Sequence, residues 1–351
     1  MGAVFVLVFL AAAFFVRFCQ WSAEGNRRVA LPPRSELGPL LLKLGAGLVL
    51  MWTIMVMAWP YAHQNLLLNP WRAFLAATNF PVAYPVLFKG KFILSNALPG
   101  SYLPVYFTLI LPPVLLGLAW VGAIGVTAAL IRHWRARASI TLFVVLFWIG
   151  FPLTYVLIAR PNIYDAVRHF IFLLPAFALL MGWGADLLAT YVERFWGRGV
   201  ASITLLAMLV AAAIPLIRWH PYQYAYLNAL AGNRATLHEH FETDYWVTSY
   251  KAAAQWINQR QTTSSTPLRV LVAVNDHSYP CFVHFLDKKV QWQPFMRQAQ
   301  NQALPPAIDY YIGTVRYGLN GNFSESPVVW EERRDGVLFC VIRSDHANTG
   351  P

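Results

Sequence analysis

Six long apolar runs occupy most of the first 217 residues, and they constrain the fold more than any other feature of the chain. They lie at about residues 2–19, 37–59, 104–131, 139–158, 169–190 and 199–217. Each is close to the ~20 residues that a helix needs to cross ~30 Å of hydrocarbon. The sequence therefore predicts an α-helical polytopic membrane protein with about six spans.

Composition and charge agree with membrane insertion. The chain is 57% hydrophobic and 12% charged, whereas a soluble domain has about 25% charged residues. Residues 1–217 hold 15 Lys and Arg against 5 Asp and Glu, and residues 218–351 hold 12 against 11. The basic excess thus belongs to the membrane half. Because no basic face lies on a soluble module, the sequence does not indicate a nucleic-acid partner.

Arginines between the runs set the expected orientation. By the positive-inside rule, the three loops that contain them are cytoplasmic. Segments 60–103, 159–168 and 218–351 then face the outside. The arginines are Arg27, Arg28 and Arg34 in the first loop, Arg132, Arg135 and Arg137 in the third, and Arg194 and Arg198 in the fifth.

Two domains follow from this pattern: a transmembrane domain over 1–217, which includes an outer loop at 60–103, and an extracytoplasmic α/β domain over 218–351. The elements predicted for the second domain are helices at 249–260 and 277–286, strands at 268–274 and 307–313, and a hairpin at 328–343 that turns at Asp335-Gly336. It contains no GxGxxG or P-loop, so nucleotide binding is unsupported.

The outer loop 60–103 is aromatic and contains no Asp or Glu. Asn69 and Pro70 suit the N-cap and the first position of a short helix. In one interpretation the loop is a re-entrant or surface-lying element that covers the outer ends of the spans. In the other, its aromatic side chains have only a packing role.

Cysteine and histidine patterns give little support to cofactors. Cys281 and Cys340 can pair if their domain faces an oxidising compartment, or they are two free buried thiols. The remaining cysteine, Cys19, lies at a membrane edge, and no CxxC occurs. In "HEHFETDYW" every second residue can bind a metal, so in an extended segment these side chains would share one face. They are His238, His240, Glu242 and Asp244, and their spacing matches no established metal site. No cofactor is assigned, and a divalent metal is not expected.

Ionisable residues precede the fifth run, in "PNIYDAVRHFIFLLP" at 161–175. In a structural interpretation Asn162 caps the helix, and Asp165 in its first turn pairs with Arg168 and His169. In a functional interpretation Arg168 and His169 at a helix N-terminus form an anion site at headgroup depth, suited to a lipid-linked phosphate.

Further candidates are weaker. Tyr164, His220 and Tyr222 are possible substrate-binding residues, although the tyrosines near 222 also suit an aromatic belt. Asp165, Glu242 and Asp244 are candidate catalytic carboxylates, and the last two also suit a solvated acidic segment.

Several stretches together resemble a known family. They are "WPY" to "NP" at 59–70, "VLFKG" at 86–90, "LPGSYLPVYF" at 98–107, "YDAVRHFIFLLP" at 164–175, "HPYQYAYLNALAGN" at 220–233 and "FETDYWVTSYKAAAQWIN" at 241–258. In this order they resemble bacterial membrane glycosyltransferases of family 39, relatives of the dolichyl-phosphate-mannose–protein mannosyltransferases with the glycosyltransferase-C fold. The resemblance covers about residues 50 to 345.

The resemblance implies an enzyme of the bacterial inner or plasma membrane that takes a sugar from a polyprenyl-phosphate carrier on the outer face. It implies that Arg168 and His169 hold the lipid phosphate. The family's catalytic acid lies in a first outer loop that has no counterpart here. The chain is therefore expected to be the C-terminal half of such an enzyme, truncated, split from a separate N-terminal half, or degenerate, with Asp165, Glu242 or Asp244 as substitute bases.

Two other functions remain open. The chain can be a non-catalytic membrane subunit or degenerate paralogue that binds a lipid-linked substrate or a protein partner. A transporter is disfavoured, because transporters place polar residues at the midplane of their spans and often show repeated halves. Here the spans contain few ionisable residues, which lie near the ends or are weakly placed, and the sequence has no internal repeats. These residues are Arg17, Lys43 and Asp186.

Overall fold

The computed structural model describes residues 34–78, 82–133, 139–274 and 279–346, together with helical positions 10, 12 and 14. The predicted first span, 2–19, lies outside these residues apart from those three positions, and so does Cys19. The chain forms two compact units. The first comprises Met1–Ala83, Gly117–Asn162 and Phe170–Ala201, and the second comprises Tyr84–Leu116, Ile163–His169 and Ser202–Pro351. The domain boundary after residue 217 stays a prediction.

Helices dominate the first two thirds of the chain. In order, the elements are α1 (Arg34–Met57), α2 (Pro60–His63), α3 (Leu68–Thr78), β1 (Pro85–Phe88), β2 (Lys91–Leu94), α4 (Tyr102–Ile110), α5 (Pro113–Arg132), α6 (Ser139–Ala159) and α7 (Leu174–Arg218). A 3-10 segment, Arg168–Leu173, leads directly into α7.

The last third mixes helices and strands. Its elements are α8 (Leu237–His240), α9 (Tyr250–Thr263), β3 (Arg269–Ala273), α10 (Tyr279–Phe285), β4 (Gln291–Phe295), β5 (Tyr310–Thr314), β6 (Val328–Arg334) and β7 (Val337–Arg343). The predicted helices, both predicted strands and the hairpin are present. Strand β4 was missed, because Pro294 interrupts an otherwise weak pattern.

Three helical stretches are long and apolar enough to cross a membrane, which indicates a membrane protein. They are Pro113–Arg132, Ser139–Ala159 and the 51-residue stretch Arg168–Arg218. Gly197, with φ 84° and ψ 167°, interrupts the last one. A positive φ of this kind is readily adopted by glycine alone. The two final predicted spans, 169–190 and 199–217, lie on either side of this break.

The predicted span at 104–131 begins too early. The structure ends α4 at Ile110, and α5 starts at Pro113. Leu111 is extended, with φ −87° and ψ 132°. A residue before proline is pushed out of the helical region by the proline ring, and Pro112 does this to Leu111.

Helices α5 and α7 approach each other closely at two glycines of the first unit. A Cβ on Gly122 would lie 1.8 Å from the backbone oxygen of Leu180, and one on Gly184 would lie 2.1 Å from the oxygen of Leu118. Small residues allow this kind of backbone contact between membrane helices.

We expect Gly184→Ala to destabilise the protein by about 1–3 kcal/mol, because the added methyl must push the helices apart. Gly182→Ala is the matched control: it lies in the same helix, gains the same helix propensity, and its Cβ would meet nothing within 4 Å. Thermal unfolding in detergent should show a lower midpoint for Gly184→Ala alone. Equal midpoints would contradict the close contact.

The loop 60–103 contains the helix α3, which belongs to the first unit, and the hairpin β1–β2, which belongs to the second. The helix starts at Leu68 rather than at an Asn69 cap, because the Asn65 side chain accepts the Leu68 N–H at 2.9 Å. The hairpin β1–β2 was not predicted. Its central residues, Lys89 and Gly90, have φ values of 51° and 78°, as a two-residue type I′ turn requires.

The sheet of the second unit has five strands in the order β4-β3-β5-β7-β6. β3 runs parallel to β4 and β5, whereas β7 is antiparallel to both β5 and β6. Alternate residues of β3 face opposite sides. Val270 and Val272 pack under α9 against Ile257, and Leu271 packs on the other side with Tyr311.

Cys340 lies in the core under α9 and is buried. The side chain of Cys281 lies outside the described residues, so the predicted alternatives for this pair stay open.

Candidate functional site

The structural interpretation of the sequence, in which Asn162 caps the helix, is wrong, because no helix starts at Asn162. Asp165 and Ala166 both have a positive φ, 57° and 56°, and the helical turn begins at Arg168. The Tyr102 hydroxyl accepts the Ala166 N–H at 3.0 Å. A left-handed backbone at two consecutive non-glycine residues is strained, and such strain is concentrated at functional sites.

Asp165 is the centre of a buried ion-pair cluster. Its side chain is only 2% exposed. Oδ2 lies 2.7 Å from Arg168, and Oδ1 lies 3.0 Å from Arg316. Burial raises the pKa of Asp165, and the two guanidinium groups oppose that rise. The predicted i,i+3 pair with Arg168 is confirmed, although it forms across a turn and not along a helix.

Arg316 is held in place on several sides. It follows β5 and is buried. One terminal nitrogen donates to the Tyr245 carbonyl oxygen, and the other donates to the Tyr317 hydroxyl at 3.0 Å. Its guanidinium also covers the Tyr317 ring at 4.9 Å. Because these contacts fix the guanidinium, they also fix the position of the Asp165 carboxylate.

Glu242 joins this cluster. It is 8% exposed, and its Oε2 forms no hydrogen bond with the described part of the chain. Burial is the main cause that raises the pKa of Glu242 to about 8, and the Asp165 carboxylate adds to it. The Arg316 guanidinium and the backbone N–H groups of Asp165 and Leu87 act in the opposite direction. At pH 7 Glu242 is therefore mostly protonated.

The β1–β2 hairpin places the segment that contains Glu242. Phe88 and Phe241 form an antiparallel bridge, and the Gly90 N–H donates to the His240 oxygen at 3.1 Å. A Cβ on Gly90 would lie 3.0 Å from the His240 ring. The hairpin thus holds the chain where it leaves α8, at Phe241, which is extended with φ −140° and ψ 151°.

Asp244 lies in a separate hydroxyl network. It accepts hydrogen bonds from Tyr224 at 2.6 Å, from Thr248 at 3.5 Å and from Ser249. Burial raises the pKa of Asp244 to about 6, while the hydroxyl groups of Ser249 and Tyr224 and the backbone N–H groups of Ser249 and Thr248 oppose the rise. Its partners make Asp244 a fixed structural acceptor.

Arg168 faces outward from the cluster. Its side chain is 29% exposed. The guanidinium lies 4.6 Å from the centre of the Tyr164 ring, and Nε donates to His169 Nε2 at 3.4 Å. The predicted Asp165–His169 pair is replaced by this contact, since Asp165 is not part of the helix. His169 also packs edge-on against Tyr164, with 4.9 Å between ring centres.

The other predicted residues lie in different surroundings. His220 is exposed, and its Nδ1 contacts the Gln223 amide at 3.0 Å. Tyr222 is buried and stacks on Phe339, with 4.5 Å between ring centres. Among the described residues, no three His, Cys, Asp or Glu side chains are placed to hold a metal ion.

Sequence reasoning missed Arg316 and the aromatic residues Tyr245 and Trp246. Arg316 follows the carboxyl end of the strand predicted at 307–313, and an arginine there is a weak signal for a site. Nothing local to Arg316 indicates a partner 151 positions earlier in the chain.

The cluster as a whole favours an anion. Two guanidinium groups share the carboxylate of Asp165, and Glu242 is mostly neutral at pH 7. The net charge is therefore positive. Of the two guanidinium groups in this cluster, that of Arg168 is partly exposed and that of Arg316 is buried. A guanidinium fork of this kind binds phosphate or carboxylate oxygens.

Comparison with protein-family models, with curated proteins and with solved structures found no match for this chain.

Proposed function

We propose that this chain is a membrane glycosyltransferase, or its C-terminal part, that binds a polyprenyl-phosphate-linked sugar through Arg168 and His169. One observation supports this most directly. The buried Asp165 carboxylate holds one edge of Arg168 at 2.7 Å, while 29% of the side chain stays exposed. A guanidinium fixed in this way loses little rotamer entropy when a phosphate binds.

The proposal includes a topology of about six spans with the α/β domain outside the bacterial inner or plasma membrane. The arginine-rich loops support this orientation. Arg168 begins the apolar stretch Arg168–Arg218. In this topology its guanidinium lies at the outer surface, at the depth of lipid phosphate groups.

The proposed reaction is an inverting transfer. An acceptor oxygen or nitrogen attacks C1 of the sugar, the bond from C1 to the phosphate oxygen breaks, and polyprenyl phosphate leaves with that electron pair. Arg168 stabilises the negative charge that develops on the leaving phosphate. Arg316 contributes by holding Asp165, and thereby Arg168, in position.

A base must remove the acceptor's proton, and none of the three candidate carboxyl groups is well suited to do so. Asp165 is paired with two arginines, Asp244 is occupied by hydroxyl groups, and Glu242 is mostly protonated at pH 7. We therefore propose that the base comes from outside this cluster, from a partner subunit or another segment, and that this chain supplies the donor-binding part.

Arg168→Ala should weaken binding of a short-chain polyprenyl phosphate about 10- to 100-fold, as expected for loss of a charge-assisted hydrogen bond. The measurement is an equilibrium binding titration with the full chain in detergent at fixed ionic strength. Arg160→Ala is the matched control, since Arg160 is exposed and lies eight positions upstream. Unchanged affinity in Arg168→Ala, or equal losses in both variants, would refute the phosphate site.

A non-catalytic lipid-binding subunit is the second candidate, and it is favoured because none of the three candidate carboxyl groups is suited to act as the base: Asp165 and Asp244 are held by partners, and Glu242 is mostly protonated. The two functions differ in one measurement. Binding of a polyprenyl-phosphate sugar with no sugar release, in membranes that contain the chain's native partners, would support the subunit and exclude the enzyme.

A further inference from the structure

Trp246 presents a flat aromatic surface directly after Tyr245, whose carbonyl oxygen accepts a hydrogen bond from Arg316 of the ion-pair cluster. Half of its surface is exposed. One face of the indole stacks on Tyr224, with 5.3 Å between ring centres and 23° between ring planes. The opposite face is thus the one available to a ligand.

The orientation of this ring is fixed by buried groups. The Tyr224 hydroxyl donates to Asp244 at 2.6 Å. Tyr245 packs edge-on against both Tyr224 and Trp246, at 5.0 and 5.8 Å, and donates its hydroxyl to the Tyr224 carbonyl oxygen at 3.1 Å. The hydroxyl network around Asp244 therefore has a role: it holds the ring that supports Trp246.

Tyr245 also connects this surface to the charged cluster. Its carbonyl oxygen accepts a hydrogen bond from Arg316. Burial and the charges of Asp165 and Glu242 raise the pKa of Tyr245, while those of Arg168 and Arg316 oppose the rise. Tyr245 thus contacts Trp246 through its ring and Arg316 through its carbonyl oxygen, and Arg316 shares the Asp165 carboxylate with Arg168.

We propose that Trp246 is a stacking platform for a pyranose ring, and that the sugar linked to a phosphate at Arg168 is its ligand. The second part rests on the proposed function. The C–H groups on one face of a pyranose carry partial positive charge and suit the negative face of an indole. The exposed Thr248 hydroxyl forms a hydrogen bond with the Tyr224 hydroxyl. It therefore supplies a polar group for sugar hydroxyl groups near the stacked rings of Tyr224 and Trp246.

A membrane-interface anchor is the competing role for an exposed tryptophan. An anchor needs an apolar body and a polar tip but no fixed ring plane. Trp246 is held by the rings of Tyr224 and Tyr245, and the Tyr224 hydroxyl donates a hydrogen bond to the buried Asp244 carboxylate. This rigid support favours a ligand that recognises the plane of the ring.

The test compares three probes on the full chain in detergent. They are a short-chain polyprenyl phosphate, the same lipid with β-linked mannose or glucose, and free methyl glycosides of both sugars. We expect Trp246→Ala to weaken the sugar-linked lipid about 3- to 10-fold, the size of an aromatic stacking contact, and to leave the sugar-free lipid unchanged. Trp246→Phe should retain part of the preference.

Trp71→Ala is the matched control, because Trp71 is also exposed and stacks on Phe74 at 5.4 Å, outside the second unit. It should change none of the affinities. Equal losses of both lipids in Trp246→Ala would assign Trp246 to the lipid interface and overturn the platform. So would an unchanged preference for the sugar-linked lipid.

The glycoside arm separates this inference from the proposed function. Saturation transfer from protein to a methyl glycoside, lost in Trp246→Ala, supports the platform even if the sugar-free lipid does not bind. In that case the phosphate site fails and the platform stands. If the sugar-free lipid binds but neither a glycoside signal nor a sugar preference depends on Trp246, the platform fails alone.

Discussion

Arg316→Met is expected to cause the largest loss of stability of any single change in the cluster, about 3–5 kcal/mol, because it leaves buried Asp165 with one partner. Binding of polyprenyl phosphate should fall as well, since Arg168 is then the sole counter-ion of Asp165. Thermal or denaturant unfolding in detergent measures the first effect, and a lipid titration measures the second.

The control for this substitution is Arg343→Met. Arg343 is also partly buried, but it donates to the backbone oxygens of Ser326 and Asn320 instead of a carboxylate. A double variant, Asp165→Asn with Arg316→Met, should lose much less than the sum of the two single changes, since no buried charge is left. Additive losses, or equal losses for Arg316 and Arg343, would show that the ion pair is not what Arg316 contributes.

Glu242→Gln should make the protein more stable at alkaline pH, and the gain should grow with pH. The pKa of Glu242 is about 8 in the folded chain against an ordinary value of 4.5. Between these values the unfolded chain loses its proton and the folded chain retains it. The unfolded state then binds fewer protons, so the stability of the wild type falls as pH rises through this range and levels off above about pH 8. Glutamine cannot ionise and escapes this loss.

The measurement is the unfolding midpoint of both proteins at a series of pH values from 4 to 9. Asp244→Asn is the informative comparison, because burial raises the pKa of Asp244 to only about 6. The difference between that variant and the wild type should stop changing near pH 6, whereas the Glu242→Gln difference should grow until about pH 8. A Glu242→Gln difference that is constant across the series would contradict a protonated Glu242.

Local patterns predicted most of the fold. Apolar runs gave the helices Pro113–Arg132 and Ser139–Ala159 nearly in full, because a long apolar helix has few alternatives. The Asp335-Gly336 turn was predicted because Asp-Gly is a strong sequence signal for a turn with a positive φ at both positions. The structure has φ values of 47° and 82° there. The hairpin at Lys89-Gly90 uses the same turn geometry, but lysine is a weak signal for positive φ.

The site could be predicted only where its partners are close in sequence. Asp165 and Arg168 are three positions apart, and their contact was expected. The Arg316–Asp165 pair and the Phe88–Phe241 bridge join distant segments. Helix propensity at Asn162 was overridden by a tertiary contact, the Tyr102 hydroxyl on the Ala166 N–H. Propensity is a weak prior wherever tertiary contacts compete with it.

The contact between Asp165 and Arg316 also limits when the site can exist during synthesis. Arg316 leaves the ribosome 151 residues after Asp165, which corresponds to a delay of about 8–30 seconds at ~5–20 residues per second. The stretch Arg168–Arg218 is complete well before Arg316 emerges. That stretch is therefore synthesised before Arg316 is available to Asp165. The ion-pair cluster is therefore completed late, and a nascent chain that stops before Arg316 lacks the second arginine of the proposed phosphate site.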